Sequence, residues 1–317
     1  MARNGREHRL FSRYPDAATA TLPSGDRVAL PYHCYDAEAY VIHGTVEAGP
    51  TRALLAEENC RPVLSRDSEA RDRAIAQIWL NVYHDTNVGP YRELVISFAV
   101  SLEADPPVFA FRNRASLLAP AFDPRCATFT RWLFLDSQRA IDLGREAWGF
   151  PKYRASLHFD RSRSPREGLE PNTRITHRTI GGDGKTVVAM FLELEQSLPA
   201  RLGSACLLIR ALGIRRLLGP AAARELASSV LTPVMLKQLL TRVITVGRTS
   251  LHRWSPRNEL NFGRDTEAGR ALAELDFEPL LVQRVSDLKF VMLPGRPLAT
   301  HARAGAEPGD QPLRKTG

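Results

Sequence analysis

Two apolar stretches meeting at a polar turn constrain this chain more than any other feature. Over residues 74–83, Ile78, Leu80 and Val82 alternate with Gln77, Trp79, Asn81 and Tyr83, the period of two expected of a strand. Residues 84–90 read as a turn. Residues 91–102 then run back with Leu94, Ile96, Phe98 and Val100 on one face and Tyr91, Glu93, Val95, Ser97 and Ala99 on the other. Both faces are substantially apolar, so both need cover. A sheet closed on itself or clasped by helices provides it. Glu93 falls on the face with the smaller residues, which suits a cavity wall.

The rest of the chain continues in the same mostly-β manner. Strands are expected at 27–30, 40–46, 108–111, 128–135, 153–159, 173–180, 186–195, 241–254, 259–262, 279–285 and 287–293. Helices are expected at 50–58, from Gln138 to about Trp148, and at 266–275. Asp136 or Ser137 caps the second of these, and Gly149 and Pro151 end it. Residues 198–240 are rich in Ala, Leu and Arg at helical spacing and read as a helical insertion. Residues 1–24 read as a flexible N-terminal arm and 295–317 as a disordered tail. The expectation is a single α+β domain over 25–294, mostly β.

Composition excludes several classes of function. No apolar run approaches the ~20 residues that span a bilayer, and residues 1–13 lack the apolar core of a secretory signal. Cys34, Cys60, Cys126 and Cys206 are too scattered for a disulfide framework or a zinc site. Free thiols and a cytoplasmic protein without metal are expected. The formal net charge of +8 is compatible with nucleic acid, but the arginines are dispersed and no recognition motif accompanies them. An anionic small molecule fits the charge as well.

Lysine is scarce: it occurs at Lys152, Lys185, Lys237, Lys289 and Lys315, while arginine carries most of the positive charge. Lys152 follows Trp148, Phe150 and Pro151. An amine held among such groups loses hydration, its pKa falls, and the neutral form attacks carbonyls. A lysine just past a helix end can also simply snorkel to water. The residues by themselves leave both readings open.

Taken together, His84-Asp85-Thr86, then Gly89-Pro90-Tyr91-Arg92-Glu93, and Gly144-Arg145-Glu146 running through Trp148-Gly149-Phe150-Pro151-Lys152 resemble the acetoacetate decarboxylase superfamily. The resemblance covers roughly 25–195 and 241–294. It implies a closed, cone-like antiparallel β structure with flanking helices, and a Schiff-base lysine at Lys152 with a carboxylate at Glu93. It implies a keto-acid or ketone substrate, no cofactor and no metal; a homo-oligomer is also expected. Tyr153, Trp79, Tyr91, Phe150, Trp148 and His84 are the candidate substrate-contacting residues. Arg145 and Glu146 read as structural.

Departures from the family pattern bear on the substrate. The decarboxylases carry a second lysine where this chain has Tyr153, and an acidic residue near the position of Trp79. They carry an arginine ahead of an early strand, where this chain has Asp36, Ala37, Glu38 and Ala39. These differences point away from acetoacetate and toward a larger β-keto acid. Two alternatives remain: an aldolase-dehydratase acting on a keto acid and an aldehyde, and a binding protein that kept the fold without turnover.

Overall fold

The computed structural model describes residues 5–58, 60–66, 71–164, 172–194, 230–236, 239–294 and 296–297. In chain order the strands are β1 (Ala18–Thr21), β2 (Arg27–Leu30), β3 (Tyr32–Glu47), β4 (Arg61–Pro62), β5 (Leu64–Arg66), β6 (Asp72–Thr86), β7 (Tyr91–Ser101), β8 (Val108–Ala110), β9 (Cys126–Leu135), β10 (Lys152–Ser164), β11 (Asn172–Gly181), β12 (Thr186–Leu194), β13 (Val230–Leu236), β14 (Leu239–Arg253), β15 (Glu259–Phe262), β16 (Glu278–Met292) and β17 (Arg296–Pro297). The α-helices are α1 (Arg9–Arg13), α2 (Ala48–Leu54), α3 (Gln138–Trp148) and α4 (Glu267–Glu274).

The pairings return on themselves. β9 pairs β13, then β14, β16, β3, β6 and β7 follow, and β7 pairs β9 again. All of these junctions are antiparallel except β9–β13, which is parallel. Strands β10, β11, β12 and β15 form an antiparallel layer, joined to the ring where β10 begins, parallel to β9.

The two faces of β7 are both covered, as their composition requires. Leu94, Ile96 and Phe98 join Ile78 and Leu80 of β6 in a cluster with Leu157, Ile175 and Leu192 of the layer. Phe98 is completely buried, so Phe98→Ala should cost about 3–5 kcal/mol. On the opposite face, Tyr91 and Val95 join a second cluster with Ala37, Tyr83, Leu135 and Phe290. Helix α3 adds Ile141, Leu143 and Trp148 to that second cluster.

Three expectations change. Residues 9–21 form elements: α1 buries Leu10 and Phe11 against Ile244 and Val291, and the largely exposed β1 pairs β2. Leu10, Phe11 and Tyr14 give one apolar face to a segment whose average composition is polar. The helical reading through residue 240 fails at its end, because Val230–Leu236 and Leu239 onward are strand; Thr232, Pro233 and Val234 are poor helix formers. The rest of that insertion, and the tail beyond 297, lie outside the described residues. Strand β3 is longer than the 40–46 expected, because irregularities at Cys34, Asp36 and Ala37 break the alternation without ending the pairing.

Candidate active site

Register on β9 builds the site. Glu93 of β7 pairs with Leu135, and Lys152 of β10 pairs with Leu133 on the other edge of β9. Leu133 and Leu135 are two residues apart and therefore face the same side. Two side chains 59 residues apart in sequence thus meet on one face, with Lys152 Nζ 3.4 Å from Glu93 Oε2. Each is only 8% exposed at the side chain.

Helix α3 completes the lysine's surroundings. Ser137 accepts the Ala140 N–H at its start. Gly149, at φ 66, ends it in the left-handed region, with Gly149 N–H donating to the Arg145 carbonyl and Phe150 N–H to the Gly144 carbonyl. The chain turns sharply enough for Lys152 to lie back along the helix, where Nζ donates to the Ala140 carbonyl at 3.2 Å. Gly144 makes this possible. A Cβ there would stand 2.3 Å from Lys152 Cε and 2.6 Å from Cδ. Arg145 donates to the Lys152 carbonyl and Trp148 Nε1 to the Leu293 carbonyl at 2.8 Å, so both ends of the turn are tethered.

Burial pushes the Lys152 amine below the ordinary lysine range, and the Glu93 carboxylate partly offsets that. The same burial raises the hydroxyls of Tyr32, Tyr83 and Tyr91 well above their ordinary range, so all three stay protonated donors. Tyr83 donates to Glu93 Oε1 at 3.1 Å, and the Tyr32 and Tyr91 hydroxyls share a 2.8 Å hydrogen bond. These groups line a small cavity of about 40 Å3; Leu133, Leu143, Trp148, Phe150, Phe290 and Met292 form its apolar wall.

The structure brings together Lys152, Glu93, Tyr91, Phe150 and Trp148 of the expected residues. Three others stand elsewhere. Tyr153, one residue on from Lys152, takes the opposite face, stacks on Phe134 and is 42% exposed. Trp79 shares the inward parity of Glu93 but pairs with Val95, one step further along, and its indole N–H donates to Gln77 and Ser97. His84 has outward parity and lies 4.0 Å from Glu38. Among residues not singled out, Tyr32 arrives from β3, Phe290 and Met292 from β16, and Gly144 by its lack of a side chain. A glycine inside the last turns of a helix, where it costs about 1 kcal/mol, was the one sequence signal for that group.

Among the described residues, no cluster of His, Cys, Asp or Glu could hold a metal ion. No described helix is long and apolar enough to cross a membrane. Cys34, Cys60 and Cys126 are buried free thiols.

The model of the acetoacetate decarboxylase family matches residues 27–262. No match was found among curated proteins. Among solved structures, acetoacetate decarboxylase from Legionella pneumophila subsp. pneumophila str. Philadelphia 1 superposes with a TM-score of 0.50 at 15% identity, covering 94% of this chain and 97% of that one. It shows the shared fold. Another acetoacetate decarboxylase structure gives 0.46 at 14% identity over 84% and 88%. The enduracididine biosynthesis enzyme MppR with pyruvate gives 0.48 at 13% identity over 89% and 99%.

Proposed function

The chain belongs to the acetoacetate decarboxylase family, and from that premise we propose that it is a Schiff-base lyase that decarboxylates a β-keto acid larger than acetoacetate. The observation that carries this reading is the Lys152 amine, buried, lying in the space that a side chain at Gly144 would fill, and beside Glu93.

Neutral Nζ attacks the ketone carbon, a C–N bond forms, and the carbonyl oxygen leaves as water to give an iminium. The bond to the carboxylate then breaks. Its electron pair moves toward nitrogen as an enamine, and carbon dioxide departs. Protonation at carbon restores the iminium, and water releases the ketone. Overall, one keto-acid anion and one proton give one ketone and carbon dioxide. Glu93, in contact with Nζ and fixed by Tyr83, is placed to move protons at the nitrogen.

The surroundings favour the bond-breaking step. It turns a paired iminium and carboxylate into a neutral enamine and a neutral gas, and apolar walls disfavour the charged side of that change. The wall of Leu133, Leu143, Phe290 and Met292 suits an alkyl chain longer than a methyl group.

Reduction with borohydride in the presence of 3-oxohexanoate should leave an alkyl adduct on Lys152, located by peptide mass spectrometry, and Lys152→Arg should carry none. Lack of an adduct with a broad panel of β-keto acids and ketones would sink the lyase reading and leave a binding protein on the same fold.

A further inference from the structure

The mechanism above leaves one polar feature of the cavity unused. Tyr32 enters from β3 and Tyr91 from β7, and their hydroxyl oxygens stand 2.8 Å apart. Both residues are buried, and both line the cavity that holds Lys152 and Glu93. Their rings are held from several sides. Tyr91 lies 4.3 Å from the Tyr83 ring; Tyr32 lies 5.6 Å from Phe290 and edge-on to Trp148 at 6.5 Å. Two aromatic rings fixed in this way present their hydroxyls at defined positions.

Counting hydrogens gives the pair a use. Two phenols carry two donor hydrogens, and the bond between them consumes one. Thr86, the other hydrogen-bond partner of Tyr32, donates its own hydrogen to the Gly89 carbonyl and accepts the Val88 N–H. Tyr83 is occupied by Glu93. One phenolic hydrogen of the pair is therefore left to be shared between Thr86 and a molecule in the cavity, and a buried donor of this kind gains most from an acceptor that carries charge.

We propose that Tyr32 and Tyr91 together form the seat for the substrate's carboxylate, with Tyr32 as a specificity-determining residue. This deepens the Schiff-base reading and rests on it. A hydroxyl pair orients a carboxylate without neutralising it. That is useful when the carboxylate must lose its charge in the next step, because tight ion pairing would stabilise the bound ground state more than the transition state.

The test compares two probes, 3-oxohexanoate, trapped by borohydride within the first turnover, and 2-pentanone, the ketone left when its carboxylate is removed. For each, the concentration giving half-maximal borohydride labelling of Lys152 is measured in the wild type, in Tyr32→Phe and in Tyr32→Phe/Tyr91→Phe. The double variant is decisive, since loss of one hydroxyl frees the hydrogen of the other. The half-maximal concentration for 3-oxohexanoate should rise at least about tenfold more than that for 2-pentanone in the double variant, with the single variant between. Equal shifts for both probes, or no shift for either, overturn the seat while leaving the lysine chemistry intact. No labelling of the wild type by either probe overturns both.

Discussion

Glu93 and Glu38 are equally buried and each sits at a cationic partner, but their settings differ. Glu93 faces Lys152 across 3.4 Å, with each side chain 8% exposed. Glu38 accepts from Arg161 and from the Tyr40 hydroxyl, but Arg161 is 44% exposed. The cations respond in opposite directions. Burial pushes the Lys152 amine down. Hydrogen bonding with Tyr40, helped by the Glu38 charge, pushes the Arg161 guanidinium up. A guanidinium stays charged in a protein, so the outer pair is a clasp between β3 and β10. A lysine can surrender its proton, and enclosing it makes the neutral amine accessible at lower pH than on an exposed lysine. In the proposed mechanism the reactivity depends on which cation is enclosed as well as on the presence of an ion pair.

The largest expected effect comes from removing the charge at the inner pair. Glu93→Gln takes away the influence that raises the Lys152 pKa and leaves the burial that lowers it. The pH at which borohydride labelling is half-maximal should therefore move down, since a weaker base is neutral at lower pH. Turnover should nevertheless fall by about 10²–10⁴-fold through loss of the proton-handling group. Labelling and carbon dioxide release, followed from pH 5 to 10, separate the two effects. If both fall together with no shift in the labelling profile, Glu93 serves only to hold the lysine in place.

Gly144→Ala tests whether enclosure depends on geometry. A methyl group at 2.3 Å from Lys152 Cε displaces the lysine from its place beside the Ala140 carbonyl. Alanine is the better helix former by about 1 kcal/mol, so helix content by circular dichroism should persist. Labelling should drop by roughly 100-fold, as expected for a reacting group moved by about 1 Å. Full labelling in a folded variant would mean that Lys152 reaches substrate by another route.

How much of this was legible in the sequence depends on the range over which each contact is set. The two-faced strand around Phe98, the cap at Asp136 or Ser137, which the structure assigns to Ser137, and the stop at Gly149 are local and could be read directly. The pairing of Lys152 with Glu93 came from a motif resemblance. The structure supplies its cause, the shared register of β7 and β10 on β9. Tyr32, Phe290 and Met292 could not be read, because they reach the cavity only through the strand pairings that close the ring. Trp79 and Tyr153 were misplaced for simpler reasons. Alternation gives the face of a strand residue but not its depth along the strand, which misled at Trp79. Tyr153 drew attention as the neighbour of Lys152, although adjacent residues on a strand point apart.

A smaller effect is expected at the walls. Trp148→Ala or Phe150→Ala lets water reach the amine and reduces the burial that lowers its pKa. The half-maximal pH of labelling should rise toward the ordinary lysine value of about 10.5, the reverse of the Glu93→Gln shift, with slower labelling near pH 7 as the charged fraction grows. An unchanged profile in both variants would show that the aromatic wall does not set the amine's basicity.

Glu38→Gln should have the smallest effect, and it completes the comparison. The change keeps an acceptor for Tyr40 and Arg161 but removes the charge from a clasp whose cation is largely open to water. Screening limits such a pair to about 1 kcal/mol or less, so a loss of about 2 °C or less in Tm is expected. Labelling of Lys152 by 3-oxohexanoate should keep both its rate and its pH profile, because Glu38 does not line the cavity. A shift in that profile would mean that the outer and inner pairs are coupled through β3 and β6, and that charge on the outside of the ring helps to set the reactivity of the lysine within it.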